Sequence, residues 1–409
     1  MTMLQFKKYS ITLMKSNSKL INNLSFEVEK GQSLGIVGES GSGKSLTALS
    51  VLRLLNKKIF IPSGEILINH RNIFELNDLE LNELRGNEVS MIFQEPMLSL
   101  NPVKSLHSQI YECLELANDP LNDSDIIHSL HAVGLSDTDK ILKSYPHMIS
   151  GGQRQRFMIA MSILRKPNII IADEPTTALD VTLQKQILDT LKALQNDLGM
   201  SLVLISHDIE LIKRYCDQIV VMKEGSIIEN QKTELIFRSP ATKYTKELVN
   251  FKSSLFREDI ADSNEKVLET KNVNCKYLTK DSFLSKNKKY YDALKDINIY
   301  INKGESVGIV GESGSGKTTL AMSIMHLLSY EGDINICSTI TKDVILNNRA
   351  IRRNFQIIFQ DPFSSLSPRM TVKQILSEGI INLLKIIEED RIDMMCKEIL
   401  LEVGLEHDM

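Results

Sequence analysis

A ten-residue segment, GIVGESGSGK, occurs twice in the sequence, at residues 35–44 and again at 308–317. Two further pairs of similar segments follow in the same order and at nearly the same spacing. These are IFQEPMLSLNP at 92–102 with IFQDPFSSLSP at 358–368, and AVGL at 132–135 with EVGL at 402–405. Three pairs in one order indicate a tandem duplication, so the chain is expected to fold as two related units.

The boundary between the units is predicted from a change in composition. Residues 253–265, SSLFREDIADSNE, are mostly polar and charged, which is typical of a linker. We therefore expect a first unit over residues 1–252 and a second unit over residues 266–409.

Short apolar runs alternate with helical patterns in the first unit, which predicts an α/β fold. NIIIAD (168–173) and SLVLIS (201–206) are continuous apolar runs, as in strands that are buried on both faces of a parallel sheet. The segment between them has helical spacing, and so does SLTALSVLRLL (45–55). Residues 105–165 are helix-rich, which predicts a helical subdomain inserted into the sheet core. The same plan is expected in both units.

Composition narrows the classes of protein to which the chain can belong. The formal net charge is −4, so no overall positive field favours nucleic acid as a partner. The five cysteines have no CxxC spacing, which argues against a zinc module and favours reduced thiols in the cytosol. No apolar run approaches the roughly 20 residues that cross a bilayer, so any membrane connection is expected through a partner protein.

Each copy of the repeated segment, together with the residue that follows it, contains the pattern G-x-x-x-x-G-K-[ST], here termed a P-loop. The two P-loops lie at residues 38–45 and 311–318. Its glycines let backbone N–H groups converge on phosphate oxygens at the start of a helix. Lys44 is expected to reach the β- and γ-phosphates of ATP, and the Ser45 hydroxyl to ligate Mg²⁺. The alternative, a glycine-rich turn that binds nothing, is disfavoured by the position between a strand and a helix. The expected nucleotide contacts are Gly38, Glu39, Ser40, Gly41, Ser42, Gly43, Lys44, Ser45 and Leu46, and in the second unit Gly311, Glu312, Ser313, Gly314, Ser315, Gly316, Lys317, Thr318 and Thr319.

Two acidic residues follow the apolar run that begins at residue 168. Asp173 is expected at the carboxyl end of a buried strand, where its carboxylate can hold Mg²⁺ through water. Glu174 can polarise the attacking water as a general base. The alternative is that the pair only caps the next helix, and the P-loop upstream favours the catalytic interpretation.

The segment YPHMISGGQRQR (145–156) predicts a second anion-binding site. Ser150, Gly151, Gly152 and Gln153 place a hydroxyl and exposed backbone N–H groups at the start of a helix, without a lysine. This helix start and a P-loop can bind the same γ-phosphate only if the two come from different domains.

These motifs, in this order, resemble those of the ATP-binding cassette (ABC) ATPases, and the resemblance covers essentially the whole chain. It implies a parallel-sheet core, an antiparallel β subdomain and an inserted helical subdomain, with ATP and Mg²⁺ as cofactors. It also implies that residues 150–153 form the signature segment, which closes over ATP bound to the opposite cassette. Ile149 stands where Leu is commoner in the family.

The same resemblance implies roles for further side chains. Gln94 in IFQEP would contact Mg²⁺ and the attacking water, and its loop would sense the membrane partner. His207 in ISHD would be the switch histidine near the γ-phosphate, although alone it reads as a structural histidine. Asp180 in TALD would lie at the dimer contact. In the second unit, Thr318 and Gln360 would be the counterparts of Ser45 and Gln94.

An aromatic ring upstream of the P-loop stacks on adenine in this family, which implies Tyr277 in the second unit. In the first unit the alignment places Leu13 at that position, with Tyr9 nearby but out of register. Stacking in the first unit is therefore expected to be weaker, or to be replaced by an aliphatic contact.

Several segments resemble the tandem ATPase subunits of dipeptide and oligopeptide importers. They are VGESGSGKS (37–45), LRGNEVSMIFQEPMLSLNP (84–102), YPHMISGGQRQRFMIAMSI (145–163) and ADEPTTALDVTLQ (172–184). The segment IFRSPATKYTKELV (236–249) resembles the C-terminal Pro…Tyr-Thr element of that group, with Thr242 and Lys243 where His-Pro is usual.

The resemblance to peptide importers implies an ATP-hydrolysing subunit on the cytoplasmic side of the inner membrane. Its partners would be integral membrane permease subunits, with a substrate-binding protein upstream and no nucleic acid. The rival class is a soluble ABC ATPase that acts on ribosomes or DNA. The short mixed-charge linker and the absence of zinc-type cysteines disfavour that class.

The register of the duplication places the second-unit counterparts of Ser150, Asp173, Glu174 and His207 beyond residue 409. We therefore expect a complete first cassette and a partial second one without a signature, an acidic pair or a switch histidine. The partner cassette is then expected from another chain, either a second copy that pairs its first cassette with two-fold symmetry or a complementing fragment. The alternative is a fragment that binds ATP without hydrolysing it.

Overall fold

The chain divides into two units, Met1–Leu255 and Phe256–Met409. The structure, a computed structural model, describes residues 1–94, 99–115, 122–176, 181–250, 265–280, 289–311, 314–337, 352, 354–359 and 365–405. Four of the predicted site residues, Asp180, Glu312, Ser313 and Gln360, lie outside the described residues.

The first unit contains strands and helices in a mixed order. Along the chain they are β1 (Thr2–Leu13), β2 (Lys19–Glu29), β3 (Ser33–Val37), α1 (Lys44–Val51), β4 (Phe60–Ile68), β5 (Arg71–Asn72), α2 (Asp78–Glu83), β6 (Val89–Ile92), α3 (Leu106–Glu115), α4 (Asp123–Ala132), α5 (Thr138–Lys143), α6 (Gly151–Ile163), β7 (Ile169–Asp173), α7 (Val181–Leu198), β8 (Ser201–Ser206), α8 (Ile209–Tyr215), β9 (Gln218–Lys223), β10 (Ser226–Lys232), α9 (Thr233–Arg238) and α10 (Lys243–Asn250). A π-helical turn, Leu84–Glu88, follows α2, and a 3₁₀ turn, Pro146–Met148, precedes α6.

Two sheets organise the first unit. One is antiparallel, in the order β2–β1–β4–β5, and the other has the order β10–β9–β3–β8–β7–β6 among the described residues. In the second sheet β3 is parallel to β8 and β9, and β7 is parallel to β8 and β6. Every residue of β3, β7 and β8 is buried, which explains their continuous apolar runs. The predicted α/β fold with its antiparallel subdomain is confirmed.

The order β3–β8–β7–β6 positions the candidate site. These neighbouring strands are parallel, so their carboxyl ends meet at one edge of the sheet. The first P-loop follows β3, Asp173 ends β7, and His207 directly follows β8. Helices α3 to α6 contribute to the hydrophobic core on one side of this sheet, as expected for the inserted helical subdomain.

The helix after the first P-loop is shorter than the sequence pattern predicts. It ends at Val51, whereas the helical spacing extends to residue 55. Arg53 has a left-handed φ of 51°, a conformation that costs roughly 1–2 kcal/mol for a non-glycine residue. Its guanidinium donates to the carbonyl oxygens of Ile73 and Leu76 at 3.1 and 2.9 Å, so tertiary hydrogen bonds override the local pattern.

The second unit is built around an antiparallel sheet. Its elements are β11 (Lys266–Lys280), β12 (Lys289–Ile297), β13 (Tyr300–Asn302), α11 (Lys317–Ile324), β14 (Glu331–Ile336), α12 (Val372–Gly379) and α13 (Glu389–Glu402), with a π-helical turn at Ile380–Leu384. β11 pairs with β12, β13 and β14, and a small hydrophobic core packs against this sheet.

The expectation of one plan in both units is wrong for the segment before the second P-loop. Residues 306–310 repeat the pattern of β3 but form no strand, and Val310 is 93% exposed. Ile358, the counterpart of Ile92 at the end of β6, is 98% exposed. In the first unit β3 is held between β8 and β9, whereas the described part of the second unit contains no pair of parallel strands. Without neighbouring strands to accept its backbone hydrogen bonds, an apolar run does not become a strand.

Among the described residues, no helix combines the length and the apolar character needed to cross a membrane.

Candidate functional site

The first P-loop joins β3 to α1 through glycines in left-handed conformations. Gly41 and Gly43 have φ values of 81° and 96°, which glycine adopts at little cost. A Cβ at Gly38 would lie 2.2 Å from the carbonyl oxygen of Met222, so the loop is packed tightly there. A Cβ at Gly41 would meet nothing within 4 Å. That side of the loop is open, as a phosphate cradle requires.

Lys44 begins α1 and lies inside the loop. Its side chain is buried, and Nζ donates to the carbonyl oxygens of Gly38 and Glu39 at 2.8 Å each. Burial lowers the pKa of the Lys44 ammonium, while the carboxylates of Glu174, Asp173 and Glu39 act in the opposite direction. The ammonium is thus held by two carbonyl groups that phosphate oxygens can replace.

Ser45 and Asp173 form a pair of oxygen ligands beside the P-loop. Ser45 Oγ donates to Asp173 Oδ1 at 3.2 Å, and burial raises the pKa of the Asp173 carboxyl. A hydroxyl and a carboxylate fit Mg²⁺, which prefers oxygen ligands. No group of three or more His, Cys, Asp or Glu side chains in the described ranges is placed to hold a metal ion. Phosphate and water oxygens would therefore complete the coordination of Mg²⁺.

The Glu174 carboxylate lies between two side chains from neighbouring strand ends. Gln94 Nε2 donates to Glu174 Oε2 at 2.9 Å, and His207 Nδ1 lies 3.4 Å from Glu174 Oε1. The backbone N–H of Glu174 donates to the carbonyl oxygen of Ile205 on β8 at 3.1 Å. Glu174 also has a φ of 44°, a strained conformation of the kind that persists at functional sites. The three predicted catalytic residues are therefore brought together.

A cavity of about 550 Å³ lies at this sheet edge. It is lined by Ser45, Leu49, Met91, Phe93, Gln94, Ser99 and Asp173. The sequence motifs do not predict that Leu49, Met91, Phe93 and Ser99 belong to the site, since these four residues carry no charge and follow no recognisable spacing. Leu49, Met91 and Phe93 bring an apolar wall to the expected Mg²⁺ ligands.

Ser150 caps α6 as the signature pattern predicts. Its Oγ accepts from the N–H of Gln153 at 3.2 Å, while Gln153 Oε1 accepts from the N–H of Ser150 at 3.0 Å. A Cβ at Gly152 would lie 2.3 Å from the end of the Leu183 side chain, so a larger residue here would require Leu183 to move. Within the described residues, no hydrogen bond joins this motif, including Gly151, to the first P-loop. The two predicted anion-binding segments line different cavities of the first unit, one through Ser45 and the other through Ser150, Gly152 and Gln153.

The second P-loop repeats the geometry of the first in part. Lys317 Nζ donates to the carbonyl oxygen of Gly311 at 2.6 Å, and Gly314 and Gly316 have φ values of 83° and 95°. Tyr277 is 40% exposed, and its hydroxyl lies 3.3 Å from Thr319 Oγ1 beside Thr318. The ring is thus next to the start of α11, as an adenine-stacking residue must be.

Strand register identifies the first-unit counterpart of Tyr277. Leu4 on β1 pairs with Ile68, and Leu268 on β11 pairs with Ile336, so β1 and β11 are equivalent strands. Leu13 lies as many residues after Leu4 as Tyr277 lies after Leu268, so Leu13 and Tyr277 occupy equivalent positions on the two strands. Tyr9 is buried and stacks on Phe74, with ring centroids 5.9 Å apart, so its ring is not open to a nucleotide.

Tyr244 touches the P-loop although the sequence motifs assign it no site role. It lies on α10, and its hydroxyl oxygen accepts from the backbone N–H of Glu39 at 3.1 Å. The signal in the sequence was the Tyr-Thr element of residues 236–249, but nothing in that element indicates which part of the fold it contacts.

Comparison with known proteins identifies the family. The sequence matches the ABC transporter family over residues 21–177 and 294–409. The chain belongs to this family. Its ATP-binding members are ATPases coupled to transport, and the P-loop and catalytic geometry described above fit that activity.

The relatives are ATP-binding proteins of ABC transporters. The chain is 38% identical to the peptidoglycan transport ATP-binding protein YejF of Agrobacterium fabrum, over 96% of this chain and 72% of that protein. It is 38% identical to the ABC transporter ATP-binding protein YejF of Escherichia coli K12, over 88% of this chain and 69% of that protein. It is 33% identical to the glutathione import ATP-binding protein GsiA of Escherichia coli K12, over 92% of this chain and 67% of that protein.

Solved structures support the same fold. The dimeric structure of MJ0796, a bacterial ABC transporter cassette, has 26% identity and a TM-score of 0.51, covering 56% of this chain and 99% of that one. A dimeric post-hydrolysis state of MJ0796 bound to ADP and Pi has 25% identity and a TM-score of 0.50, with the same coverage. The predicted ABC cassette fold is confirmed.

Proposed function

We propose that the chain is the ATP-hydrolysing subunit of a peptide-type ABC importer, and that its first unit carries the hydrolytic site. One arrangement carries the proposal: the Glu174 carboxylate is held by Gln94 and faces His207, on the same sheet edge as Lys44 and the Ser45–Asp173 pair. That edge combines a phosphate-binding cation, Mg²⁺ ligands and a base for water.

Each side chain has a distinct role in the proposed reaction. Lys44 would exchange its carbonyl partners for phosphate oxygens, and Ser45 and Asp173 would hold Mg²⁺, which would supply positive charge to neutralise the phosphates. Glu174 accepts a proton from the attacking water, and Gln94 orients this carboxylate. His207 acts beside the γ-phosphate as the switch histidine.

The peptide-importer assignment rests on the sequence motifs and on the relatives. GsiA is named for glutathione import and the Agrobacterium YejF for peptidoglycan transport. We infer that the chain works at the cytoplasmic side of the cell membrane as a peripheral subunit. Its partners are permease subunits, which the Gln94 loop contacts, with a substrate-binding protein upstream.

A second chain is proposed to complete the hydrolytic site. Ser150, Gly152 and Gln153 of one copy close over ATP at the P-loop of the other, and Asp180 lies at their contact. The observation that residues 150–153 and the first P-loop line different cavities of one copy supports this arrangement. We propose that the second unit binds nucleotide through Lys317, Thr318 and Tyr277.

The test is to measure ATPase rate and molecular mass of the purified full chain over a range of concentrations. The proposal predicts that the rate per chain rises in step with the dimer fraction, because the signature of one copy completes the site of the other. ATP binding without hydrolysis at every concentration would favour the alternative, a chain that binds ATP but does not turn it over.

A further inference from the structure

The peptide group between Gly38 and Glu39 is held from both ends. Its carbonyl oxygen, on Gly38, accepts from Lys44 Nζ at 2.8 Å. Its N–H, on Glu39, donates to the hydroxyl oxygen of Tyr244 at 3.1 Å. The same peptide therefore links the phosphate-binding lysine to a residue that lies about 200 positions further along the chain.

Tyr244 is itself held firmly, since α10 is anchored to the rest of the unit. The Glu229 carboxylate, on β10, accepts from the backbone N–H groups of Ala241 and Thr242 at 2.9 and 3.3 Å. Glu229 is buried, so these bonds are shielded from water and fix the start of the helix.

Two further contacts support the helix and its tyrosine. The Thr242 hydroxyl accepts from the N–H of Thr245 at 3.1 Å, and Thr245 is fully buried. The ammonium of Lys223, on β9, lies 5.0 Å from the centroid of the Tyr244 ring. The hydroxyl is therefore presented to the P-loop by a rigid support and not by a mobile side chain.

We propose that Tyr244 is a positioning residue for the first P-loop, through which α10 sets the nucleotide affinity of the site. The inference rests on the proposed function, because it assumes that this P-loop binds ATP. Loss of the hydroxyl leaves the Gly38–Glu39 peptide without its second anchor. The loop then samples conformations in which its N–H groups no longer converge, so nucleotide binding weakens.

The expected effect concerns binding more than chemistry. Among the described residues, no hydrogen bond joins Tyr244 to Gln94, Glu174 or His207, so we expect the hydrolytic step on bound nucleotide to stay intact. One neutral hydrogen bond changes an equilibrium by about three- to tenfold. Tyr244→Phe should therefore raise the Kd and KM for MgATP by about three- to tenfold and leave kcat within about twofold.

The experiment compares Tyr244→Phe with a matched variant, Tyr215→Phe, in the full chain. Tyr215 also makes a side-chain hydrogen bond, donating to Asp189 Oδ1 at 2.7 Å, and no hydrogen bond among the described residues joins its side chain to the P-loop. Amide hydrogen exchange of residues 35–46 is measured first in the nucleotide-free protein, followed by Kd, KM and kcat. Tyr244→Phe should accelerate exchange in the loop, and Tyr215→Phe should not.

Three results would overturn the proposal. They are unchanged exchange in Tyr244→Phe, the same weakening of MgATP binding in Tyr215→Phe, and a fall in kcat with an unchanged KM. The exchange measurement needs neither ATP nor turnover. A chain that failed to hydrolyse ATP would therefore contradict the proposed function. The exchange measurement would still test whether Tyr244 positions the P-loop.

Discussion

The amide of Gln94 donates to the carboxylate of Glu174, from Nε2 to Oε2, across 2.9 Å. Gln94 follows β6 and Glu174 follows β7, so the bond joins two adjacent strand ends. It connects the loop that is proposed to contact the permease with the proposed base. Under the proposed function, a displacement of Gln94 would change the orientation of the carboxylate, which would give a physical route for coupling transport to hydrolysis.

Gln94→Ala is expected to lower kcat by about 10²-fold, because a misplaced base loses near-attack geometry. The KM for ATP should change much less, since Lys44 and the P-loop are untouched. Steady-state ATPase kinetics check this split. Gln5→Ala is the control, because Gln5 also pairs with a glutamate, Glu27, away from this edge. Equal losses in both variants would contradict the assigned role.

Asp173→Asn is expected to stabilise the nucleotide-free chain while impairing the site. Burial raises the pKa of Asp173 above its ordinary value, so its charged form destabilises the folded state. The neutral Asp173 carboxyl therefore favours folding at a pH below the pKa that it has in the unfolded chain. This contribution to stability is lost as the pH rises through its pKa in the folded chain. Asparagine removes the buried charge and keeps an oxygen that can accept from Ser45.

Thermal unfolding between pH 4 and 8 tests this expectation. The gain in the unfolding midpoint of Asp173→Asn should be present near pH 7 and should shrink as pH falls and Asp173 becomes neutral. Affinity for Mg²⁺ in the presence of ATP should fall by about 10- to 100-fold. A less stable variant at pH 7, or unchanged Mg²⁺ dependence, would refute the interpretation.

Leu13→Tyr should strengthen nucleotide binding in the first unit. Leu13 occupies the strand position that Tyr277 occupies in the second unit, and stacking of a base on an aromatic ring is worth about 1–3 kcal/mol. In a Lys317→Ala background, the affinity for ATP should rise about tenfold, while affinity for inorganic tripolyphosphate stays constant. Leu13→Met is the control, because it replaces leucine with another side chain that has no aromatic ring to stack on the base. An equal gain for tripolyphosphate would show that stacking is not the cause.

The two P-loop lysines should differ in their importance for turnover. Lys44 lies in the site that contains Asp173 and Glu174, so Lys44→Ala should abolish steady-state hydrolysis. Lys317→Ala should leave most of the activity, because the proposed base and switch histidine belong to the first unit. Parallel assays of the ATPase rate of both variants test this prediction. A large loss of ATPase rate in Lys317→Ala would mean that the second unit is part of a working site.

Much of the first unit could be predicted because its signals are local. Continuous apolar runs indicated β7 and β8, and the glycine pattern indicated the loop that holds Lys44. The second unit shows the limit of such signals: residues 306–310 resemble β3, yet strand formation depends on neighbours that a local pattern does not contain. The contact between Glu39 and Tyr244 is equally hidden, since it depends on how α10 packs and not on spacing.

The most direct measurement of the central claim is hydrolysis and binding of MgATP by Glu174→Gln. The variant keeps the size of the side chain but removes the base, so hydrolysis should fall by about 10²- to 10⁴-fold while the Kd for MgATP stays within about twofold. Glu210→Gln is the control, because Glu210 is exposed and pairs with Lys213 in a surface ion pair. Loss of turnover with retained binding in Glu174→Gln alone is the predicted result. Turnover at the unmodified rate in Glu174→Gln would contradict the assignment of Glu174 as the base.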